Sequence, residues 1–222
     1  MGLIDLIFPK TCLECHKEGS YFCQSCLANV RLAKPVCPIC EKASIDGLTH
    51  VKCIKKFGLD GLTSIWEYEG VIRKAILALK YKYAFEVGRE LCGKFAEYMH
   101  NSSFLIPNSS VLVPIPIYWH RENVRGFNQS NEVGRAIAAE FGWNFEPNLL
   151  IRTKPTIPQV ELSGEARRKN LKGVFSLDSR FCIPDSVLLF DDVFTTGSTL
   201  KEACKVLKRG GVKKVWGLTI AR

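Results

Sequence analysis

Val187-Leu188-Leu189-Phe190-Asp191-Asp192-Val193-Phe194-Thr195-Thr196-Gly197-Ser198-Thr199-Leu200 is the stretch on which the fold of this chain turns. Its four apolar residues suit a buried parallel strand, two adjacent carboxylates follow, and a hydroxyl-rich turn then leads into Thr199-Leu200-Lys201-Glu202-Ala203-Cys204-Lys205-Val206-Leu207-Lys208, which opens a helix. Gly197 lets backbone approach a ligand closely. The free N–H groups and positive dipole end of a helix start favour a phosphate monoester, and the hydroxyls of Thr195, Thr196, Ser198 and Thr199 add donors. Asp191 and Asp192 only accept hydrogen bonds, which fits them to the vicinal hydroxyls of a ribose. The stretch therefore divides into a sugar end and a phosphate end of one ligand.

No Gly-Lys-Ser/Thr follows the turn and the glycine spacing of a dinucleotide fingerprint is absent, which excludes both of those phosphate-binding loops. A plain strand-to-helix turn capped by Asp192 or Ser198 is the competing account. Two acids followed by Val193-Phe194-Thr195-Thr196-Gly197-Ser198-Thr199 resemble the phosphoribosyl-pyrophosphate signature of the type I phosphoribosyltransferases.

Working upstream, Val111-Leu112-Val113-Pro114-Ile115-Pro116 reads as the first strand of a parallel core. Its prolines fix a rigid loop at the carboxyl edge, where ligands bind in open α/β sheets. Arg121 and Arg125 follow closely, and their guanidinium groups suit a pyrophosphate. Trp66 to Gly70 reads as a strand ending in a turn, and helices are expected over Val71 to Lys82, Glu86 to Met99 and about Asn131 to Phe141. The polar segment from Gln159 to Phe175, with Gly164 and a basic triplet, suits a flap that closes on an anionic ligand, or an exposed short helix.

The head of the chain has a different composition: seven of the ten cysteines lie before residue 54. Cys12 and Cys15, Cys23 and Cys26, and Cys37 and Cys40 are three pairs with two-residue spacing, and His50 with Cys53 has the spacing of a fourth. Two such knuckles complete a closed tetrahedral Zn2+ site, so eight ligands make two zincs, paired sequentially or crossed, or one zinc if His50 is a surface histidine that leaves the second set incomplete. Four protein ligands leave no open position for a substrate, so the module supplies folding energy and a recognition surface. A disulfide framework is the alternative, opposed by the lack of a secretory signal in Met1 to Lys10. That lack, with no apolar run of membrane-spanning length, points to the cytoplasm. Residues 1–60 are thus read as a cysteine-rich zinc-binding module and residues 61–222 as the α/β domain.

Of the formal +9 charge, residues 201–222 hold seven Lys/Arg against one Asp/Glu. Such a cluster is either a solvated helix face or a nucleic-acid or polyphosphate surface. With bound zinc the head is near neutral, and so is no obvious DNA clamp by charge alone.

The paired cysteines, Ala78-Leu79-Lys80-Tyr81, Val113-Pro114-Ile115-Pro116, Arg125-Gly126-Phe127-Asn128-Gln129, Gln159 with Leu162-Ser163, Arg167-Arg168-Lys169-Asn170 and the Asp191 to Gly197 run together resemble the ComF (ComFC) family of late-competence proteins. The likeness runs nearly end to end and departs at His50, where that family usually carries cysteine. It implies an α/β fold with a type I phosphoribosyltransferase-like parallel sheet flanked by helices, joined to a small N-terminal zinc-binding module. It also implies a role in natural transformation, handling incoming single-stranded DNA beside a helicase-like competence protein. By the same resemblance Mg2+ is chelated by phosphoribosyl pyrophosphate, whose ribose meets Asp191 and Asp192. Its 5'-phosphate meets the turn from Thr195 to Thr199, and its pyrophosphate faces the loop around Ile115 and Arg121. An active phosphoribosyltransferase displacing pyrophosphate with a nitrogen acceptor is the alternative function, and needs position and charge but no covalent nucleophile.

Overall fold

A computed structural model describes residues 9–79, 85–100, 111–117, 128–154 and 173–222. Its strands are β1 (Gly61–Trp66), β2 (Val111–Pro114), β3 (Asn144–Phe145), β4 (Leu150–Arg152), β5 (Phe175–Leu177), β6 (Ser186–Val193) and β7 (Lys214–Ala221). The helices are α1 (Gln24–Ala28), α2 (Gly70–Ala78), α3 (Phe85–His100), α4 (Gln129–Phe141) and α5 (Ser198–Arg209). Five strands form one sheet in the order β1-β7-β6-β2-β3, and every pair in it is parallel.

The opening apolar run is β6, the central strand. Val187, Leu188, Leu189 and Phe190 are wholly buried because alternate side chains enter two separate cores. Leu188 and Phe190 join the core under α2, α3 and α4, whereas Val187 and Leu189 join the core under α5 and the β4–β5 ribbon. The amphipathic helix α5 follows from its sequence: Leu200, Ala203, Cys204 and Leu207 are buried, and lysines fill the other face.

The expected strand at Trp66 to Gly70 lies earlier. Gly61 to Trp66 are all buried and run in register with β7, so Trp66 ends the strand rather than beginning it. Bare Gly61 lets the Trp216 ring lie across it, where any Cβ would collide. The strand expected to be first in the core, β2, is second in chain order. The helix expected over 71–82 is described as Gly70–Ala78; the other two expected helices are present, each one or two residues longer than read. Phe175 starts β5, which pairs with β4 antiparallel in a ribbon apart from the main sheet. Residues 1–8, 80–84 and 101–110, Trp119, Arg121, Arg125 and Phe127, and the expected flap as far as residue 172 lie outside the described residues.

The N-terminal segment straddles β1, at one edge of the sheet. Cys12, Phe22, Leu27 and Val30 enter the core under α2 and α3, while Val36 and Leu59 enter the core under α5. Between them the chain covers the outer edge of β1: the Ala33 N–H donates to the Ile65 carbonyl at 2.8 Å and the Glu67 N–H to the Arg31 carbonyl at 2.9 Å. An edge strand that would otherwise show unpaired backbone to solvent is closed by the module itself.

Candidate functional site

In a parallel sheet the carboxyl ends of all strands lie on one edge, and ligands enter where the strand order reverses. Here that point falls between β2, whose chain proceeds outward to β3, and β6, whose chain proceeds the other way to β7. Pro114 pairs with Phe190, and the Ile115 N–H donates to the Phe190 carbonyl at 2.8 Å, which brings the Pro114-Ile115-Pro116 loop level with Asp191. The structure thus brings together Asp191, Asp192, Val193 and the turn from Thr195 to Thr199 with Pro114, Ile115 and Pro116. Arg121 and Arg125 lie outside the described residues.

Asp191 and Asp192 are both half-buried. Burial first, and the Asp192 carboxylate second, push the Asp191 carboxyl well above the usual range. Opposing them, Asp191 Oδ1 accepts from the Asp192 N–H at 3.0 Å and from the Ser130 hydroxyl at 3.3 Å, and the Arg152 guanidinium draws the carboxyl back down. Asp192 has its own neighbour in Tyr68: burial and then the Asp192 charge raise that phenol. An acid whose carboxyl is raised in this way gains from a ligand that brings donors or a cation.

The end expected to take the phosphate is built by one turn. Gly197 adopts φ 64° before α5, and a Cβ there would run into the Phe194 ring, so only glycine completes the turn without strain. Thr196 Oγ1 and Ser198 Oγ lie 2.8 Å apart, and Lys201 Nζ donates to the Thr196 carbonyl at 2.9 Å. The capping account differs from the geometry: Gly197 occupies the N-cap position of α5, and Thr196 Oγ1 accepts from the Ser198 N–H at 3.4 Å.

Sequence reading assigned no role to Ser130 or Arg152. The Asn128 side chain accepts from the Ser130 N–H at 3.1 Å, capping α4, and donates to the Ile115 carbonyl at 3.3 Å. One helix start therefore holds both the proline loop and, through Ser130, the first acid. Asn-x-Ser before a helical pattern is a capping signal that could have found this pair. Arg152 reaches the site only because the β4–β5 ribbon packs beside the sheet, and nothing local marks it.

The cysteines form two groups, sequentially paired: Cys12, Cys15, Cys23 and Cys26 in one, and Cys37, Cys40, His50 and Cys53 in the other, with the ligand atoms of each group within 4.8 Å of one another. Ligands on a tetrahedral zinc stand about 3.5–3.8 Å apart. Cys15 and Cys23 Sγ are separated by 3.6 Å, and Cys40 Sγ lies 3.3 Å from His50 Nδ1. His50 Nε2 lies 3.0 Å from the Ala43 carbonyl. A carbonyl only accepts, so Nε2 carries the proton and Nδ1 keeps the lone pair a metal needs. The thiols cannot all ionise on their own. Donating to the Cys23 and then the Cys15 sulfur holds the Cys26 thiol up at about 12, whereas the Ser25 hydroxyl first, and then the Cys26 N–H, bring Cys23 down to about 6. Both sets fit structural Zn2+, with no position left for a substrate.

Together these features define a protein with a paired zinc-binding head and a parallel α/β body that carries two acids and a glycine turn at its switch point. The Double zinc ribbon domain family matches residues 3–54. Competence protein F of Haemophilus influenzae is 30% identical, covering 96% of this chain and 98% of that protein. DNA utilization protein YhgH of Salmonella typhi is 29% identical with the same coverage, and Competence protein ComFC of Streptococcus pneumoniae is 24% identical over 92% of this chain and 89% of its own. The chain belongs to the ComF family of competence proteins. Among solved structures it is similar to glutamine phosphoribosylpyrophosphate amidotransferase from B. subtilis, at 17% identity and TM-score 0.41, covering 64% of this chain and 30% of that one. It is also similar to adenine phosphoribosyltransferase from Trypanosoma brucei, at 18% identity and TM-score 0.30, covering 60% and 51%.

Proposed function

We propose that this protein serves natural transformation, handling incoming single-stranded DNA in the cytoplasm, and that its α/β body binds phosphoribosyl pyrophosphate or a related phosphorylated ribose. The observation that carries the ligand reading is the convergence, at one switch point, of the Asp191–Asp192 pair and the Gly197 turn. The carboxylates accept from the ribose hydroxyls and the turn receives the 5'-phosphate at the α5 N-terminus. Mg2+ arrives chelated by the ligand's pyrophosphate, consistent with that ion's preference for substrate phosphates and water over an all-protein cage. The competence reading is supported by the relatives named above, which share the whole length of this chain.

Calorimetry with phosphoribosyl pyrophosphate and Mg2+ tests the site. Wild type is expected to bind and Asp191→Asn with Asp192→Asn to lose binding, about a hundredfold or more, since two hydrogen bonds to charged acceptors go. Equal affinity of the two proteins rejects the reading. Ligand recovered intact after long incubation identifies a binding protein, whereas pyrophosphate release with a nitrogen acceptor identifies a phosphoribosyltransferase.

A further inference from the structure

A groove of about 470 Å3 runs between α5 and the segment that follows the zinc ligand Cys53. Ser198, Lys201, Lys205 and Arg209 recur every three or four residues along α5 and form one wall. Rising about 1.5 Å per residue from Ser198 to Arg209, that wall is about 16 Å long. Lys55, Lys56 and Phe57 form the other.

Five cations thus face one another across the groove, and Glu202 is the one carboxylate among its lining residues. Glu202 accepts from the Gly173 N–H at 3.0 Å and from Lys205 Nζ at 2.9 Å, while Lys201 lies 3.4 Å from Glu41. Lys55, Lys56 and Arg209 make no ion pair among the described residues, although Arg209 feels the charge of Glu202. Like charges held this close repel, and an anion lying along the groove relieves them. Phe57 sits in the same wall, with Lys56 Nζ and Arg209 Cζ each 5.4 Å from its ring centroid. Both cations lie over the ring, and a strand whose phosphates draw them off it leaves the ring to one of its bases.

We propose that this groove is the track for single-stranded nucleic acid, with Phe57 as the platform on which one base stacks. The proposal rests on the DNA-handling reading above and adds where on the molecule the strand lies. A duplex keeps its bases stacked inward and offers none to Phe57, so single strands are preferred. An acidic peptide offers charge without flat rings. The groove begins at Ser198, in the turn assigned to the sugar phosphate, but its aromatic and its three unpaired cations lie toward the other end, so the two sites are separable by mutation.

The test is fluorescence anisotropy of a labelled oligothymidylate on the zinc-loaded full chain across a salt series. Lys55→Glu with Lys56→Glu is expected to weaken binding at least about tenfold and to flatten the log–log salt slope by about 1.4, at roughly 0.7 for each phosphate no longer neutralised. Phe57→Ala is expected to weaken it about tenfold with the slope unchanged, because stacking releases no counterions. Both variants are expected to keep wild-type zinc content and phosphoribosyl pyrophosphate binding. Wild-type DNA affinity in both variants overturns the groove and leaves DNA handling standing elsewhere on the protein. Absence of any binding by wild type overturns both. Displacement of the oligothymidylate by oligoglutamate or duplex as readily as by unlabelled oligothymidylate also overturns the proposal, marking the groove as a protein-docking or unselective anionic surface.

Discussion

Asp191 is an acid held at a cost to the folded protein. Its carboxyl is raised by burial and by Asp192, so the folded state holds that proton more tightly than the unfolded chain does. The stability this confers is complete below the unfolded value of about 3.9, erodes as pH climbs from there, and is gone once pH passes the elevated folded value. Above the unfolded value Asp191 is therefore a liability to the folded state, which the proposed ligand would offset. Asp191→Asn keeps an oxygen to accept from Ser130 and from the Asp192 N–H while removing the charge. Without ligand, the variant is expected to melt above wild type at pH 7, with the difference closing toward about pH 4, near the unfolded value. A wild type equal to or above the variant at pH 7 would show that the acid is not strained.

The element that matters most is the junction of β6, turn and α5, because it fits a single residue at its hinge. Gly197 combines a left-handed backbone with a Phe194 ring packed against it, and the Lys201 N–H begins the helix by donating to the Gly197 carbonyl at 2.8 Å. Gly197→Ala is expected to cost about 1–3 kcal/mol in urea unfolding, the range for a non-glycine residue held left-handed. Ligand binding should fall as well, because relieving the clash shifts the turn. Wild-type stability in Gly197→Ala would mean that Phe194 swings away freely. At this scale much was legible from residues alone. The apolar run, the acids and the hydroxyl turn are consecutive, so their order in space follows from their order in the chain. Trp66 was misplaced for the opposite reason: a strand half made of small and polar residues, Gly61, Thr63 and Ser64, becomes a buried strand only through β7 beside it, where Ser64 and Thr219 share a hydrogen bond of 2.6 Å.

Across the whole molecule, the zinc head acts as a clamp on the sheet. It contributes side chains to both cores, and its second zinc site reaches the Gly197 turn, since Glu41 pairs with Lys201, which in turn holds the Thr196 carbonyl. Two zincs per chain are expected by metal analysis, and Cys40→Ala should leave one. Its melting midpoint is expected to fall by about 10 °C or more, given roughly 2–4 °C per kcal/mol in a chain of this size and several kcal/mol from a structural zinc. Unchanged stability with one zinc lost would show that the second zinc site is an ornament on a self-sufficient body.

Local order alone made legible the parallel α/β class, the acids and hydroxyl turn that end β6, and the two-residue-spaced cysteine pairs, because strand, turn and knuckle are each written in neighbouring residues. Tertiary structure decided which knuckle joins which, that the head closes the β1 edge, and that Ser130 and Arg152 come to Asp191 from elements remote in the chain. It also placed Lys55 and Lys56 opposite α5, turning two separate basic runs into one groove. The physical reason is common to all four: each depends on the meeting of segments well apart in the chain, whose closeness is set by burial of shared apolar surface and leaves no mark in either segment by itself.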